Sequence, residues 1–207
     1  ERSLAAVLLH ETIENQAEED MHYMWGHHPA FGAPFLAGGC RLQLPARTFT
    51  SHDVTISPSS RLAPATKSPW PQGQDAPCGV DPRVTPHPPA RVTEFGYISE
   101  LEAGWYGLSN PSLGFGFGLA WPPEIFPYVW FWQELRGSFG YPWYGRCYVM
   151  AVEPFTSVPG CGLERAIAAG TAPVLAAGAK TEASLAAVFF EDAEVRSITN
   201  SGQVTVD

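Results

Sequence analysis

Glu153 closes an apolar run, Cys147-Tyr148-Val149-Met150-Ala151-Val152, and Pro154 follows it. Read as a strand, the run puts Cys147, Val149, Ala151 and Glu153 on one face and Tyr148, Met150 and Val152 on the other. The proline is expected to stop the ladder, because it has no N–H to donate. A carboxylate at the end of an apolar face loses hydration. Its pKa then rises toward the working pH and it becomes a better general base. An idle glutamate at a strand end is the competing reading of position alone. The second proton-handling group lies in Trp25-Gly26-His27-His28-Pro29. Imidazole donates or accepts a proton near neutral pH. Neighbours on an extended chain point to opposite sides, so at most one of the two histidines faces a given site.

Other chemistries find little support. His10, His22, His52 and His87 show no spacing that would bring them to one ion together with a carboxylate, so no metal is expected. There is no G-x-S-x-G, no phosphate-binding loop and no dinucleotide glycine fingerprint. Gly114 to Gly118 lacks the helix that a dinucleotide site requires. No cofactor is expected. The aromatic block at residues 126–132, with Trp130 and Trp132, and the later Trp143 and Tyr144 read either as core or as a surface on which the apolar face of a sugar ring stacks.

Bulk composition narrows the partners. With 12 Lys plus Arg against 21 Asp plus Glu, the net charge is −9, and no basic face is available for nucleic-acid phosphate or an anionic membrane. A neutral small molecule is the better match. No apolar run of about 18 residues is present, so no membrane span is expected. The four cysteines, Cys40, Cys78, Cys147 and Cys161, are widely spaced and form no zinc-ribbon pair. Two disulfides are possible, but reduced thiols in a cytoplasmic protein are the simpler reading.

The elements that must position these residues are mostly strands. Gly and Pro number 20 each, which favours turns over long helices. Residues 3–13 fit a helix or a strand; 14–16 read as a turn and 22–25 as a strand. Arg41 and Gln43 alternate with Leu42 and Leu44. Residues 57–90 are rich in Pro, Ser, Gly and Ala and read as a long loop excursion, with order returning near Val92. Phe115, Phe117, Leu119 and Trp121 face one way and Gly114, Gly116 and Gly118 the other, a flat strand face open to close approach. A short helix is expected over 163–169, ending at Gly170, and a closing strand over 180–190. Many strands and few helices make an all-β, antiparallel β-sandwich, here read as one domain over residues 1–207.

At this point the segments resemble a family. Trp25-Gly26-His27-His28-Pro29-Ala30-Phe31-Gly32 resembles the histidine segment of aldose 1-epimerases and their galactose mutarotase-like relatives. Tyr141-Pro142-Trp143-Tyr144-Gly145-Arg146, and then Val149 through Thr156, resemble the stretch that carries the family's catalytic Glu ahead of a Pro and a Thr. The resemblance runs over most of the chain and is weakest over residues 50–95. It implies a large galactose mutarotase-like supersandwich, which settles residues 3–13 as strand. It also implies an open cleft for a small-molecule sugar, with Glu153 as base and His28 as acid in interconverting anomers. His27, Phe31, Trp130, Trp132 and Arg146 are then expected around the sugar. Ala30 replaces the usual Tyr, and the family's central Asp has no assigned counterpart. The N-terminal strands of the family domain, with an Arg and a further His, are expected to precede residue 1. The alternative is a sugar-binding or sugar-sensing domain that keeps the cleft without turnover. A third reading, a polysaccharide-processing relative, needs a second carboxylate opposite Glu153, with Glu100, Glu102 and Asp81 as candidates.

Overall fold

The computed structural model describes residues 5–71, 81–88, 90–191 and 194–206. In chain order the strands are β1 (Ala6–Glu14), β2 (Met21–His22), β3 (Ala30–Gly32), β4 (Arg41–Gln43), β5 (Ala46–Ser51), β6 (Lys67–Pro69), β7 (Val92–Leu101) and β8 (Trp105–Asn110). They continue as β9 (Phe115–Ala120), β10 (Tyr128–Leu135), β11 (Tyr148–Phe155), β12 (Val174–Leu175), β13 (Lys180–Glu191), β14 (Val195–Ile198) and β15 (Val204–Val206). Among the described residues one helix, α1 (Leu163–Ala168), follows β11 and is succeeded by Gly170 at φ +69, the left-handed position that ends a helix.

Two antiparallel sheets carry the fold. One has five strands in the order β1-β13-β9-β8-β4, the other six in the order β3-β11-β10-β7-β5-β6. Period-two alternation sends every second side chain of each sheet into the space between them. Phe131, Met150, Val152 and Ile98 enter from the six-stranded sheet, and Tyr106, Leu108, Leu119 and Leu185 from the other. Each is at most 4% exposed, so burial of these side chains, worth about 1.5–3 kcal/mol each, ties the two sheets together. The aromatic residues of β10 split accordingly. Phe131 points into this core while Trp130 and Trp132 stand on the opposite, open face of the sheet.

The glycine face of β9 admits another layer of protein. On the outer side of the five-stranded sheet, Phe190, Val195 and Ile198 form a second small core with Trp105, Ala120 and Val188. A Cβ on Gly116 would lie 2.3 Å from the Phe190 ring and 2.9 Å from the Leu108 carbonyl oxygen. Gly116→Ala should therefore destabilise the fold by about 1–3 kcal/mol, read as a lower urea midpoint with an unchanged slope.

Several local expectations are corrected. Pro154 does not stop the ladder: β11 runs on to Phe155, with Pro154 opposite Val129. The proline loses only a donor, and its carbonyl still accepts from the His27 N–H at 3.0 Å. Residues 22–25 are not a strand; only Met21–His22 pair, with β12, and the chain then continues irregularly along the edge of β11. The 57–90 excursion contains β6, which pairs with β5, while residues 72–80 and 89 lie outside the described set. Cys40, Cys147 and Cys161 are free thiols, and Cys78 lies outside the described residues. No helix among the described residues is long and apolar enough to cross a membrane.

Candidate active site

The open face of the six-stranded sheet is built by register. Trp130 lies opposite Glu153 and Trp132 opposite Ala151 on β11, while Tyr97 and Phe95 of β7 flank the same two tryptophans from the other side. Thr93 and Glu134 form the next rung. All of these residues share one face, and Thr93, Phe95, Trp130, Trp132, Glu134 and Glu153 among them floor a cavity of about 380 Å³. Its walls are completed by His28, Ile56, Ser138 and Trp143. That volume is within the range of small-molecule sites, about 300–1,000 Å³.

His28 reaches the cavity because of the irregular segment before β3. The chain from Trp25 to Pro29 follows the edge of β11, with Trp25 N–H donating to the Thr156 hydroxyl and Val152 N–H donating to the Pro29 carbonyl. Extended backbone then turns the two histidines apart. His28 Nδ1 meets Glu153 Oε2 at 2.7 Å, whereas His27 Nε2 faces Glu11 of β1 at 3.2 Å. The His28 side chain is 56% exposed and that of Glu153 5%. One partner is thus open to a ligand and the other is held in a dry wall.

Burial raises the pKa of Glu153, and the hydrogen bond and positive charge offered by His28 pull it back in part. The same burial effect lowers His27, with Glu11 opposing it. A carboxyl group with a raised pKa and an exposed imidazole in contact make a proton-transfer pair.

The remaining expected residues divide. Trp130 and Trp132 line the cavity. Trp130 is fixed by stacking on Phe155 at 3.6 Å and by donating from Nε1 to the Ser157 carbonyl. Trp132 is flanked by Trp143, with ring centroids 5.8 Å apart, and by His28 at 6.2 Å. Phe31 lies in the inter-sheet core against Phe117 and Tyr106, away from the cavity, because β3 turns its one inward side chain that way. His27 also lies off the cavity, edge-on to Phe126. Arg146 is an exposed loop residue outside the cavity lining.

Glu134 is the cavity-lining carboxylate that sequence reasoning passed over, and Ile56, Thr93, Phe95 and Ser138 were also unnamed. Glu134 is fully buried, and its carboxyl accepts from the backbone N–H groups of Gly137 and Ser138 and from the Thr93 hydroxyl, at 2.8–3.0 Å. Extending the Trp130, Trp132 alternation by one more step would have found it. The three carboxylates considered for a polysaccharide-processing site lie elsewhere. Glu100 and Glu102 pair with Lys67 and Arg47, and Asp81 with Arg83. Glu134 does not replace them. It sits four residues along the sheet from the rung of Glu153, about 13 Å at the usual strand rise. Glycoside hydrolases hold their carboxyls roughly 5–9.5 Å apart.

A family model described as "Domain of unknown function (DUF4432)" matches residues 2–188. Among solved structures, the chain is similar to a "putative aldose 1-epimerase" from Klebsiella pneumoniae, with a TM-score of 0.67 and 18% identity, over 90% of this chain and 43% of that one. It is also similar to a galactose mutarotase-like protein from Clostridium acetobutylicum, with a TM-score of 0.52 and 15% identity, over 89% of this chain and 52% of that one. A galactose mutarotase related enzyme from Lactobacillus acidophilus gives 0.56 and 15%, over 90% and 58%. The chain therefore spans about half the length of these structures, and at such identities the likeness is one of fold. Among curated proteins no sequence matches.

Proposed function

The chain belongs to the DUF4432 family and has the galactose mutarotase-like fold, and we propose that it interconverts the anomers of a neutral sugar by acid–base ring opening. The observation that carries this reading is the 2.7 Å contact between exposed His28 and buried Glu153 in an aromatic cavity. Glu153 removes the proton of the anomeric hydroxyl while His28 protonates the ring oxygen. The C1–O5 bond opens to the aldehyde, the C1–C2 bond rotates, and the ring recloses with the protons returned. In this scheme Glu153 uses the oxygen not bonded to His28, and His28 uses Nε2, so the contact through Nδ1 keeps the two groups in register. Each positioned proton-transfer group contributes roughly 10²–10⁴ in rate.

The lining supports a neutral substrate. Among the described residues around the cavity there is no Lys or Arg to pair with the charge of a phosphorylated sugar. Trp132 and Trp143 supply apolar ring faces, and Thr93 and Ser138 supply hydroxyl partners. A cytoplasmic location belongs to the same proposal.

Two-dimensional NMR exchange between the α and β anomers of neutral aldoses, with and without protein, tests it. Faster exchange of at least one aldose is the expected result. Sugar binding without faster exchange would replace the isomerase with a silent sugar-binding domain. Trp132→Ala should weaken binding of the responsive sugar about tenfold, measured by calorimetry, through loss of the stacking face.

A further inference from the structure

A second cluster lies beside the aromatic wall of the cavity and takes no part in the proposed reaction. His52, just after β5, is 8% exposed, and its ring lies 4.9 Å from that of Phe95. Its Nε2 is 3.3 Å from Asp53 Oδ1 and 3.7 Å from the Sγ of Cys161, which lies in the loop between β11 and α1. One ligand atom from each residue lies within 4.8 Å of the other two. On the far side of the ring, Nδ1 is 2.7 Å from the Tyr97 hydroxyl, whose oxygen also accepts from the Gly160 N–H.

We propose that His52, Asp53 and Cys161 bind a zinc ion, with the fourth position open to water. The arrangement rules against a Cys–His–Asp proton relay. In a relay the thiol and the carboxylate engage opposite ring nitrogens. Here both converge on Nε2, and a single proton there serves only one of them. A cation serves both. Tetrahedral zinc with bonds of about 2.0–2.1 Å to N and O and about 2.3 Å to S requires ligand separations of roughly 3.3 Å for N···O and about 3.6 Å for N···S. The observed 3.3 and 3.7 Å match these values.

The outer partners suit a metal site as well. With Nδ1–H donating to the Tyr97 oxygen, Nε2 presents its lone pair to the ion. Arg165 of α1 holds the other oxygen of Asp53 at 2.7 Å and leaves Oδ1 toward the ring. Binding exchanges the thiol proton for the ion and joins the end of β5 to the loop that follows β11, the strand carrying Glu153. The borderline N, O and S donor set favours zinc over magnesium or calcium.

Cobalt substitution tests the site without relying on any activity. Chelator-stripped protein is titrated with Co²⁺ and then with Zn²⁺. The expected result is one Co²⁺ per chain, giving tetrahedral d–d bands and a thiolate-to-cobalt charge-transfer band, both lost as Zn²⁺ displaces it. Cys161→Ser, at an exposed position that does not threaten folding, should remove the charge-transfer band and weaken Zn²⁺ binding at least a hundredfold. That exceeds the roughly 10–100-fold typical of losing an outer partner. Cys147→Ser should leave both unchanged. Absence of a thiolate band in the parent protein, or its persistence in Cys161→Ser, overturns the proposal.

Discussion

Glu153→Gln is expected to lower protein-promoted anomer exchange by roughly 10²–10⁴ while sugar binding stays within a few-fold of the parent. The substitution keeps the volume of a residue that is 4% exposed and removes its capacity to take a proton. The pH profile of the parent protein is expected to carry the same signature. The base must be deprotonated to act, so the rate falls as pH drops through its pKa. Burial is the largest influence on that pKa and raises it, so the acid limb lies above the ordinary glutamate value of about 4.3. His28 opposes burial through its hydrogen bond and charge. His28→Asn should therefore slow exchange and also move the remaining acid limb to higher pH. Stability follows the opposite sense to that of an ion-paired surface carboxylate. The native state holds the Glu153 proton more tightly than the unfolded chain, so this group's contribution is fully present below its unfolded pKa and is lost as pH rises through the raised native value. Glu153→Gln removes that dependence. Exchange by Glu153→Gln at the parent rate would dismiss it as the base.

Glu134→Ala is expected to cost about 3–5 kcal/mol of folding stability, measured by urea denaturation at neutral pH. Two backbone N–H groups, of Gly137 and Ser138, and the Thr93 hydroxyl lose their acceptor. A buried donor left unsatisfied costs about 1–3 kcal/mol. The vacated space adds to this, while relief from burying a polar side chain subtracts from it. Glu134→Gln keeps an amide oxygen for the two N–H groups and should lose about 1 kcal/mol. The pair of variants distinguishes a structural acceptor from a reacting acid. A reacting group would lose its chemistry in Gln as fully as in Ala, whereas an acceptor is largely rescued. Equal urea midpoints for parent and Glu134→Ala would refute the assignment.

These two glutamates stand in different relations to the amino-acid sequence. Glu153 is legible from its own neighbours, because strict alternation over residues 147–153 fixes which side chains share its face. The same rule separates Phe131 from Trp130 and Trp132 on β10 and marks the glycine face of β9. It also requires His27 and His28 to diverge, and they do. The strand class, the short helix before Gly170 and the antiparallel sandwich all follow from periodicity and turn residues.

Alternation names two faces without saying which one is core. That is decided by the second sheet, which covers Phe31, Phe131 and Met150 and leaves Trp130, Trp132 and Glu153 facing the cavity. Strands β5, β7 and β8 escaped notice for a related reason. Both faces of β8 are buried, and polar groups such as Glu94 of β7 are satisfied inside by Ser60 and Arg61, so no clean polar–apolar rhythm remains. Pairings over long separations left still less trace. His52 and Cys161 are 109 residues apart, and only the meeting of two loops brings them to one point. Local spacing thus determined which residues could act together within one strand. Which distant side chains share a cavity, an acceptor or the proposed ion site was decided by strand order and by sheet-on-sheet packing, because those contacts arise between segments whose separation in sequence carries no period.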